Sequence, residues 1–318
     1  MSKEYIPHCY NQLMEIPDNL KNLYKHWEYH TIKPNIEEKV LLNNEVLNQI
    51  YPMIIERMKI WEAKQQDKNP PYTKDPILTR YRFCNVYREL DRQTIEIHTL
   101  LKQLQEDFDL WLLNIIFSRM VCNPSTIKRV GFLNYNDKNN KAVYEKLINL
   151  PHPKYGVAYI FPVSLINKVG TKTREEFFCF YLPKVIKQCA EIIKEFNKVS
   201  VTEALKKVLP TFGLNFKFHW TEILIDVAYQ YPSYLDLYKQ FPVGPGSVPT
   251  MKGLSEEDPE TVCQSLIGLD VPEFPYLTYE GRSVWLSTEN WEGIGCEFRK
   301  YINLLHGIGR KRIYRLKV

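Results

Sequence analysis

The sequence predicts an all-α fold with few short strands. Several long segments repeat apolar residues at spacings of three and four, which is typical of amphipathic helices. Strand-like patterns occur only at 155–161 and 276–285, and both are short. With 318 residues, 44% hydrophobic and 25% charged, the chain has the composition of a folded globular protein and can bury its own core.

The N-terminal part of the sequence predicts one long helix and a loop. Apolar residues from Ile36 to Gln66 follow the helical period, and Pro52 is expected to kink this helix. The polar segment 65–71 ends in two prolines, which favours a solvated loop. We therefore expect an N-terminal helical arm at 1–66 and a helical catalytic domain at 72–318.

The middle of the chain predicts further helices with recognisable ends. The helical pattern runs from Asp75 to Leu104 and again from Phe108 to Val121. The segment 123–126 ends the second helix and supplies caps for the next. Thr173 to Glu176 has the form of a capping box that opens a helix to about Asn197, and Ser255 to Asp258 is a weaker start signal.

Composition excludes several classes of protein. There is no apolar run long enough for a membrane span and no signal peptide, so we expect a cytoplasmic protein, or a nuclear one in a eukaryote. The seven cysteines and the histidines have no metal-ligand spacing, and no metal or cofactor is expected. The motifs of P-loop NTPases, zincins and α/β-hydrolases are absent. The formal charge of +5 permits nucleic-acid binding without requiring it.

The segment 81–92 holds the best candidates for chemistry. In a helix, one face would present an amide, two guanidinium groups and a carboxylate. These residues are Asn85, Arg88, Glu89 and Arg92. Asp91 would lie on the flank of that face, and aromatic residues such as Tyr87 would half-bury it. A solvated ion-pair face is the alternative interpretation.

Two glycine turns could bind phosphate. Residues 209–213 precede a helical run and resemble a helix-hairpin-helix turn, in which Phe212 and Gly213 would approach DNA. The second turn could form an amide-lined nest. It contains Gly244, Gly246 and Ser247, with Lys252 nearby. Ordinary helix connections and surface turns remain alternatives.

The C-terminal part adds weaker candidates. Glu292 lies on a predicted helix and could position substrate or act in acid-base chemistry, although a surface glutamate is the usual meaning. The tail alternates basic and apolar residues, so Arg310 and Arg312 could contact a phosphate backbone.

Four blocks of this sequence together resemble one known family. They are 75–94 (DPILTRYRFCNVYRELDRQT), 209–213 (LPTFG), 244–247 (GPGS) and 292–301 (EGIGCEFRKY). The family is the helical domain of 5-hydroxymethyldeoxyuridine DNA kinases and the related alpha-glutamyl/putrescinyl thymine pyrophosphorylases. Thr211 stands where the hairpin motif has glycine, Arg299 stands where an acidic residue is expected, and no P-loop accompanies the helical part.

The resemblance implies a multi-helix, DNA-glycosylase-like fold with a helix-hairpin-helix element, and double-stranded DNA with a flipped, modified pyrimidine as the partner. Carried to matching positions, it implies Asn85, Arg88, Asp91 and Arg92 as the core of the site, with Asp226 and Glu292 in support.

Three functions stay open at this point. Excision of the modified base is preferred, because this chain stands without a kinase half; Asp91 would stabilise the sugar cation. Transfer of an amine to a phosphorylated 5-hydroxymethyl group is the second. The third is a non-catalytic DNA-binding module. The sequence gives no indication of oligomeric state.

Overall fold

The computed structural model describes residues 13–35, 40–271 and 273–309. This part of the chain is mostly helical with one small sheet, so the predicted all-α class with few short strands is confirmed. In chain order the α-helices are α1 (Asp18–Lys21), α2 (Asn44–Gln65), α3 (Pro76–Arg80), α4 (Arg92–Leu101), α5 (Phe108–Val121), α6 (Pro124–Val130), α7 (Asp137–Asn149), α8 (Val163–Ile166), α9 (Arg174–Glu176), α10 (Leu182–Lys194), α11 (Val201–Phe212), α12 (Lys217–Gln230), α13 (Val248–Leu254), α14 (Pro259–Ser265) and α15 (Thr288–Leu305).

The described residues contain one three-stranded sheet. Its strands are β1 (Met14–Glu15), β2 (Leu277–Tyr279) and β3 (Arg282–Ser283), in the order β1-β2-β3. β1 pairs with β2 in parallel and β3 pairs with β2 antiparallel. The strand pattern at 276–285 is therefore confirmed, whereas 155–161 is irregular. Among the described helices, none combines the length and the apolar character that a membrane span requires.

The chain divides into two compact units. The described residues of 13–21, 27–86 and 245–309 form the first unit, and residues 22–26 and 87–244 form the second. The predicted boundary near 66–72 falls inside the first unit, after α2. The division into an arm and a catalytic domain stays a prediction.

The first unit contains the long helix expected from the sequence. α2 begins at Asn44 because the Asn43 side chain accepts a hydrogen bond from the Glu45 N–H and caps it, and Pro52 lies inside this helix. α13 packs against both α2 and α15, and the Thr250 hydroxyl donates to the Gly295 carbonyl at 2.7 Å.

The second unit is built around α5. This helix is apolar on every side and almost completely buried, as expected for a central helix. α4, α10 and α12 pack against it, and α11 packs against α10 and α12. α10 buries positions 182, 185, 186, 189, 190 and 193, which is the stripe of an amphipathic helix.

The predicted single helix from Asp75 to Leu104 is wrong. It divides into α3, an extended stretch, a 3-10 turn at Arg88–Leu90 and α4. The Arg57 guanidinium donates hydrogen bonds to the carbonyl oxygens of Phe83 and Cys84 at 3.3 and 3.0 Å. In an uninterrupted helix those carbonyls would accept from backbone N–H groups of the same helix.

The helix predicted from Thr173 is confirmed as a continuous helical stretch to Lys194. The Thr173 side chain accepts from the Glu176 N–H, as a capping residue does. Residues Phe177–Tyr181 form one π-helical turn between α9 and α10. Insertion of a π turn brings Phe180 and Tyr181 to the surface, where both are partly exposed.

Candidate active site around Asp226

Asp226 is the centre of a polar cluster inside the second unit. It lies on α12, whose residues are almost all buried, and its side chain is 0% exposed. The Arg119 guanidinium, from the last turn of α5, donates two hydrogen bonds of 2.6 Å to the Asp226 carboxylate. A buried carboxylate requires such partners, because an unpaired charge is very costly away from water.

Arg88 extends the cluster toward solvent. Its Nη1 donates to Asp226 Oδ1 at 3.1 Å, and its Nε donates to Glu222 Oε2 at 3.1 Å. The side chains of Arg88 and Glu222 are 14% and 20% exposed, whereas those of Arg119 and Asp226 are buried. Two guanidinium groups thus face two carboxylates, and the outer pair can be reached from outside.

The charges in the cluster are strongly stabilised. Burial alone would raise the pKa of Asp226, but the guanidinium groups of Arg119 and Arg88 hold it well below its ordinary value. Burial would lower the pKa of Arg88, yet Asp226 and Glu222 raise it well above the ordinary value. Asp226 is therefore a permanent anion and organises the two arginines rather than moving protons.

His98 contributes a neutral ring to the same cluster. The Gln230 amide nitrogen donates to His98 Nδ1 at 2.8 Å and to the Leu23 carbonyl at 2.7 Å, while its oxygen accepts from Gln105. His98 Nδ1 is therefore an acceptor, and Nε2–H donates to Asp226 at 3.0 Å. Burial lowers the pKa of His98, in keeping with a ring that stays uncharged.

Aromatic side chains form the outer wall of the cluster. The Tyr159 hydroxyl donates to Glu222 Oε2 at 2.7 Å. The Phe218 ring stacks on the Tyr159 ring at 5.6 Å and 29°, and Phe218 is 56% exposed. Two apolar side chains of the loop that carries Tyr159, Val157 and Ile160, are also exposed. An open aromatic face thus lies one helical turn from Glu222.

Asp91 is at the N-terminus of α4, one turn after Arg88. Its N–H donates to the Arg88 carbonyl, and its own carbonyl accepts from Ile95. Asp91 is half-buried and takes the N-cap position, but its carboxylate makes no capping hydrogen bond there. The backbone hydrogen bond places Asp91 next to Arg88. The catalytic role of Asp91 stays a prediction.

The other candidates of 81–92 do not share one helical face, which corrects that expectation. The Asn85 side chain, in the first unit, accepts from Arg57 at 2.6 Å. Arg92 is 84% exposed and pairs with Glu96. Tyr87 is fully buried. Glu89, expected on a solvated face, is also buried and pairs with His26 at 2.8 Å.

The sequence predicted a turn at 209–213, but residues 209–212 form the last turn of α11, and 213–216 join it to α12. Gly213 ends α11 with φ of 76°, a conformation that favours glycine, and its N–H donates to the Leu209 carbonyl. That amide therefore caps the helix and does not point at a phosphate. Phe212 is completely buried, so it packs in the core and cannot meet DNA as expected. A helix-hairpin-helix function for this turn stays a prediction.

The second glycine turn is also used for packing. A Cβ on Gly246 would lie 2.6 Å from the Cys296 sulfur on α15, so only glycine allows this close approach. Ser247 is buried, which corrects its expected role as a phosphate contact. Gly244 is half-buried, and Lys252 is exposed on α13. Arg310 and Arg312 lie outside the described residues.

Glu292 lies on α15 in the first unit and is half-buried. Burial raises the pKa of the Cys263 thiol well above its ordinary value, and the charge of Glu292 adds to this effect. Glu292 therefore stands beside a buried, unreactive thiol. The role of Glu292 in acid-base chemistry stays a prediction.

Sequence reasoning missed most of the cluster around Asp226: its partners Arg119 and His98, and the outer residues Glu222 and Tyr159. One signal was available. Arg119 and Asp226 each interrupt an apolar run: Arg119 is the single charge in 110–121 of α5, and Asp226 is the single charge in 223–230 of α12. Since isolated buried charges are rare unless paired, two such helices predict a buried ion pair between them.

Comparison with known proteins gives one family and one partial relative. The sequence pattern of the family described as "5-hmdU DNA kinase, helical domain" matches residues 44–308. A 5-hmdU DNA kinase of Bacillus phage SP10 is 34% identical over 85 residues, which are 25% of this chain and 13% of the phage protein. The matched part is thus a small fraction of that relative. No solved structure matches this chain.

Proposed function

Because the chain belongs to the family of 5-hmdU DNA kinase helical domains, we propose that it is a DNA-modifying enzyme acting on a 5-hydroxymethylated uracil in DNA. The proposed reaction is group transfer at the 5-hydroxymethyl position of a base turned out of the duplex. The observation that carries the proposal is the carboxylate of Glu222, which is partly exposed and held by Arg88 and Tyr159 next to an open aromatic face.

The aromatic wall suits a flipped base. The exposed face of Phe218 can stack on a pyrimidine, and stacking of this kind recognises any base by its π surface. Tyr159 supports Phe218 from behind. A base stacked there would bring its 5-substituent toward the side chains that follow Phe218 by one turn of α12.

The polar groups have distinct roles in this proposal. With a 5-hydroxymethyl base and ATP, the hydroxyl oxygen attacks the γ-phosphorus and ADP leaves; with the phosphorylated base, an amine nitrogen attacks the 5-methylene carbon and phosphate leaves. In either reaction Glu222 accepts the proton that the attacking hydroxyl or amine loses, and the hydrogen bond from Tyr159 fixes its position. Arg88 stabilises the negative charge that develops on the transferred or departing group. Asp226 and Glu222, both on α12, hold Arg88 in place, and Arg119 in turn holds Asp226.

Excision of the modified base is the second candidate reaction. Asp91 favours it, because a half-buried carboxylate at the start of α4 could stabilise a sugar cation or orient water. A non-catalytic DNA-binding module is the third outcome of the same test.

The test uses duplex oligonucleotides that carry one thymine, one 5-hydroxymethyluracil or its phosphorylated form. They are incubated with the protein, with and without ATP or an amine donor, and the nucleosides are analysed by mass spectrometry. A new mass on the base supports group transfer. An abasic site supports excision and contradicts transfer, and unchanged DNA under every condition contradicts both reactions.

Glu222→Gln tests the assignment within the site. The substitution keeps the side-chain size and removes the proton acceptor, so turnover should fall by about 100-fold. Glu145→Gln, at an exposed position of α7, is the matched control and should retain wild-type turnover. Equal turnover by the two variants would remove Glu222 from the chemistry.

A further inference from the structure

A second surface of the same unit is an open groove whose lining residues are separate from those around Asp226. It lies where α7 approaches the loop before α9 and the π turn. Its lining residues are Tyr144, Val169, Gly170, Thr171, Lys172, Glu176, Phe180, Tyr181 and Lys184. Three aromatic side chains, two lysines and one carboxylate thus line one open surface.

The aromatic residues of the groove are held in fixed positions. The rings of Tyr144 and Phe180 are 5.0 Å apart at 47°. The Tyr181 hydroxyl donates to the Phe212 carbonyl at 2.5 Å, which anchors the far end of the π turn. π turns are frequent at functional sites, and here the turn places Phe180 and Tyr181 side by side in the groove. The result is a rigid set of partly exposed ring faces.

The groove is basic. Lys172 and Lys184 are exposed, whereas the carboxylate of Glu176 is directed to the backbone and accepts from the Lys172 N–H at 2.7 Å. Residues 137–187 contain nine lysines and arginines against four carboxylates, an excess of five that equals the charge of the whole chain. One of those carboxylates, Glu175, is paired with Lys154 at 2.7 Å. The segment that supplies all of the lining residues is therefore basic.

We propose that this groove binds single-stranded DNA, with Lys172 and Lys184 on successive phosphates and the rings of Tyr144 and Phe180 against unpaired bases. Cationic grooves with aromatic platforms are the usual solution for single strands, because phosphates supply charge and every base has a π face. A duplex would present no free base faces to these rings. The choice of DNA as the nucleic acid rests on the proposed function.

The first test measures binding of an unmodified oligo-dT of twelve nucleotides by fluorescence anisotropy at several salt concentrations. In Lys172→Gln/Lys184→Gln, the slope of log affinity against log salt should fall by about 1.4, since each lost phosphate contact contributes about 0.7 on a single strand. Lys206→Gln/Lys207→Gln, two exposed lysines of α11, is the matched control and should keep the wild-type slope. Equal slopes in the two double variants would overturn the proposal.

The second test separates base stacking from charge. Tyr144→Leu keeps every charge and should weaken oligo-dT binding roughly 5-fold to 100-fold without changing the salt slope. Inorganic polyphosphate of equal charge should compete less well than oligo-dT. Equal competition, or unchanged binding by Tyr144→Leu, would show that the groove does not hold single-stranded DNA.

The same measurements distinguish this proposal from the proposed function. Loss of oligo-dT binding in the groove variants, together with no reaction of the wild type on modified bases, would uphold the groove and reject the enzyme. Reaction on modified bases with wild-type oligo-dT binding in both groove variants would uphold the enzyme and reject the groove.

Discussion

Asp226 on α12 and Arg119 in the last turn of α5 are joined by two hydrogen bonds of 2.6 Å, and both side chains are buried. This ion pair fixes the position of α5 relative to α12 at one point of their contact. It also supplies the anion that Arg88 and His98 share. The stability of the second unit and the geometry of the proposed site therefore depend on the same carboxylate.

Asp226→Asn should destabilise the protein by about 3–5 kcal/mol, because it leaves the buried Arg119 guanidinium without its counter-charge. Urea unfolding followed by circular dichroism measures the change. Asp137→Asn, at the exposed start of α7, is the control and should cost less than about 1 kcal/mol. A loss as small as that of the control would mean that the pair adds little to stability.

The stability should decrease as the pH falls below about 6.5, the ordinary pKa of histidine. Burial lowers the pKa of folded His98, so the unfolded chain binds a proton that the folded chain does not. The contribution of His98 is thus present above the unfolded pKa and is lost as the pH falls toward the folded pKa, at up to about 1.4 kcal/mol per pH unit.

His98→Gln removes this titration. The free energy of unfolding of the variant should therefore depend less on pH between 5 and 7 than that of the wild type, by about the effect of one ionising group. His152→Gln, at an exposed position, should keep the wild-type dependence. If His98→Gln and the wild type have the same pH dependence, His98 is not the group responsible.

Asp91→Asn keeps the size of the side chain and removes its charge. If Asp91 stabilises a cation or accepts a proton, turnover should fall by roughly 100-fold while folding is retained. If Asp91 is only part of a solvated ion-pair surface, the change should cost about 1 kcal/mol or less of stability and leave turnover intact. Single-turnover kinetics on modified DNA, with circular dichroism of the same samples, decides between them.

Phe218→Ala should weaken binding of DNA that carries the modified base by roughly 5-fold to 100-fold, the range for loss of one stacked base. Thermal stability should change little, because Phe218 is 56% exposed. Leu305→Ala removes another exposed apolar side chain, 54% exposed on α15, and should leave binding unchanged. Identical affinities for the two variants would exclude Phe218 as the stacking surface.

The sequence by itself determined the helical class, most helix positions and the family. These follow from local information: the period of apolar residues placed α2, α5 and α10, and caps such as Asn43 and Thr173 placed helix starts. The matched pattern at 75–94 carried the resemblance. Local periodicity failed at 155–161, which is irregular, and at 81–91, where a distant side chain, Arg57, takes the backbone acceptors of 83 and 84.

The tertiary structure alone decided which charged residues meet. Arg88, Arg119 and the pair Glu222 and Asp226 come from three separate segments, and no spacing along the chain relates the three segments. The tertiary structure also decided which candidate residues are buried. Phe212, Ser247 and Glu89 lie in segments that read as turns or polar faces in the sequence, yet all three are buried. Burial and charge pairing are set by packing between helices, and the energy of a buried charge depends on partners that the local sequence does not contain.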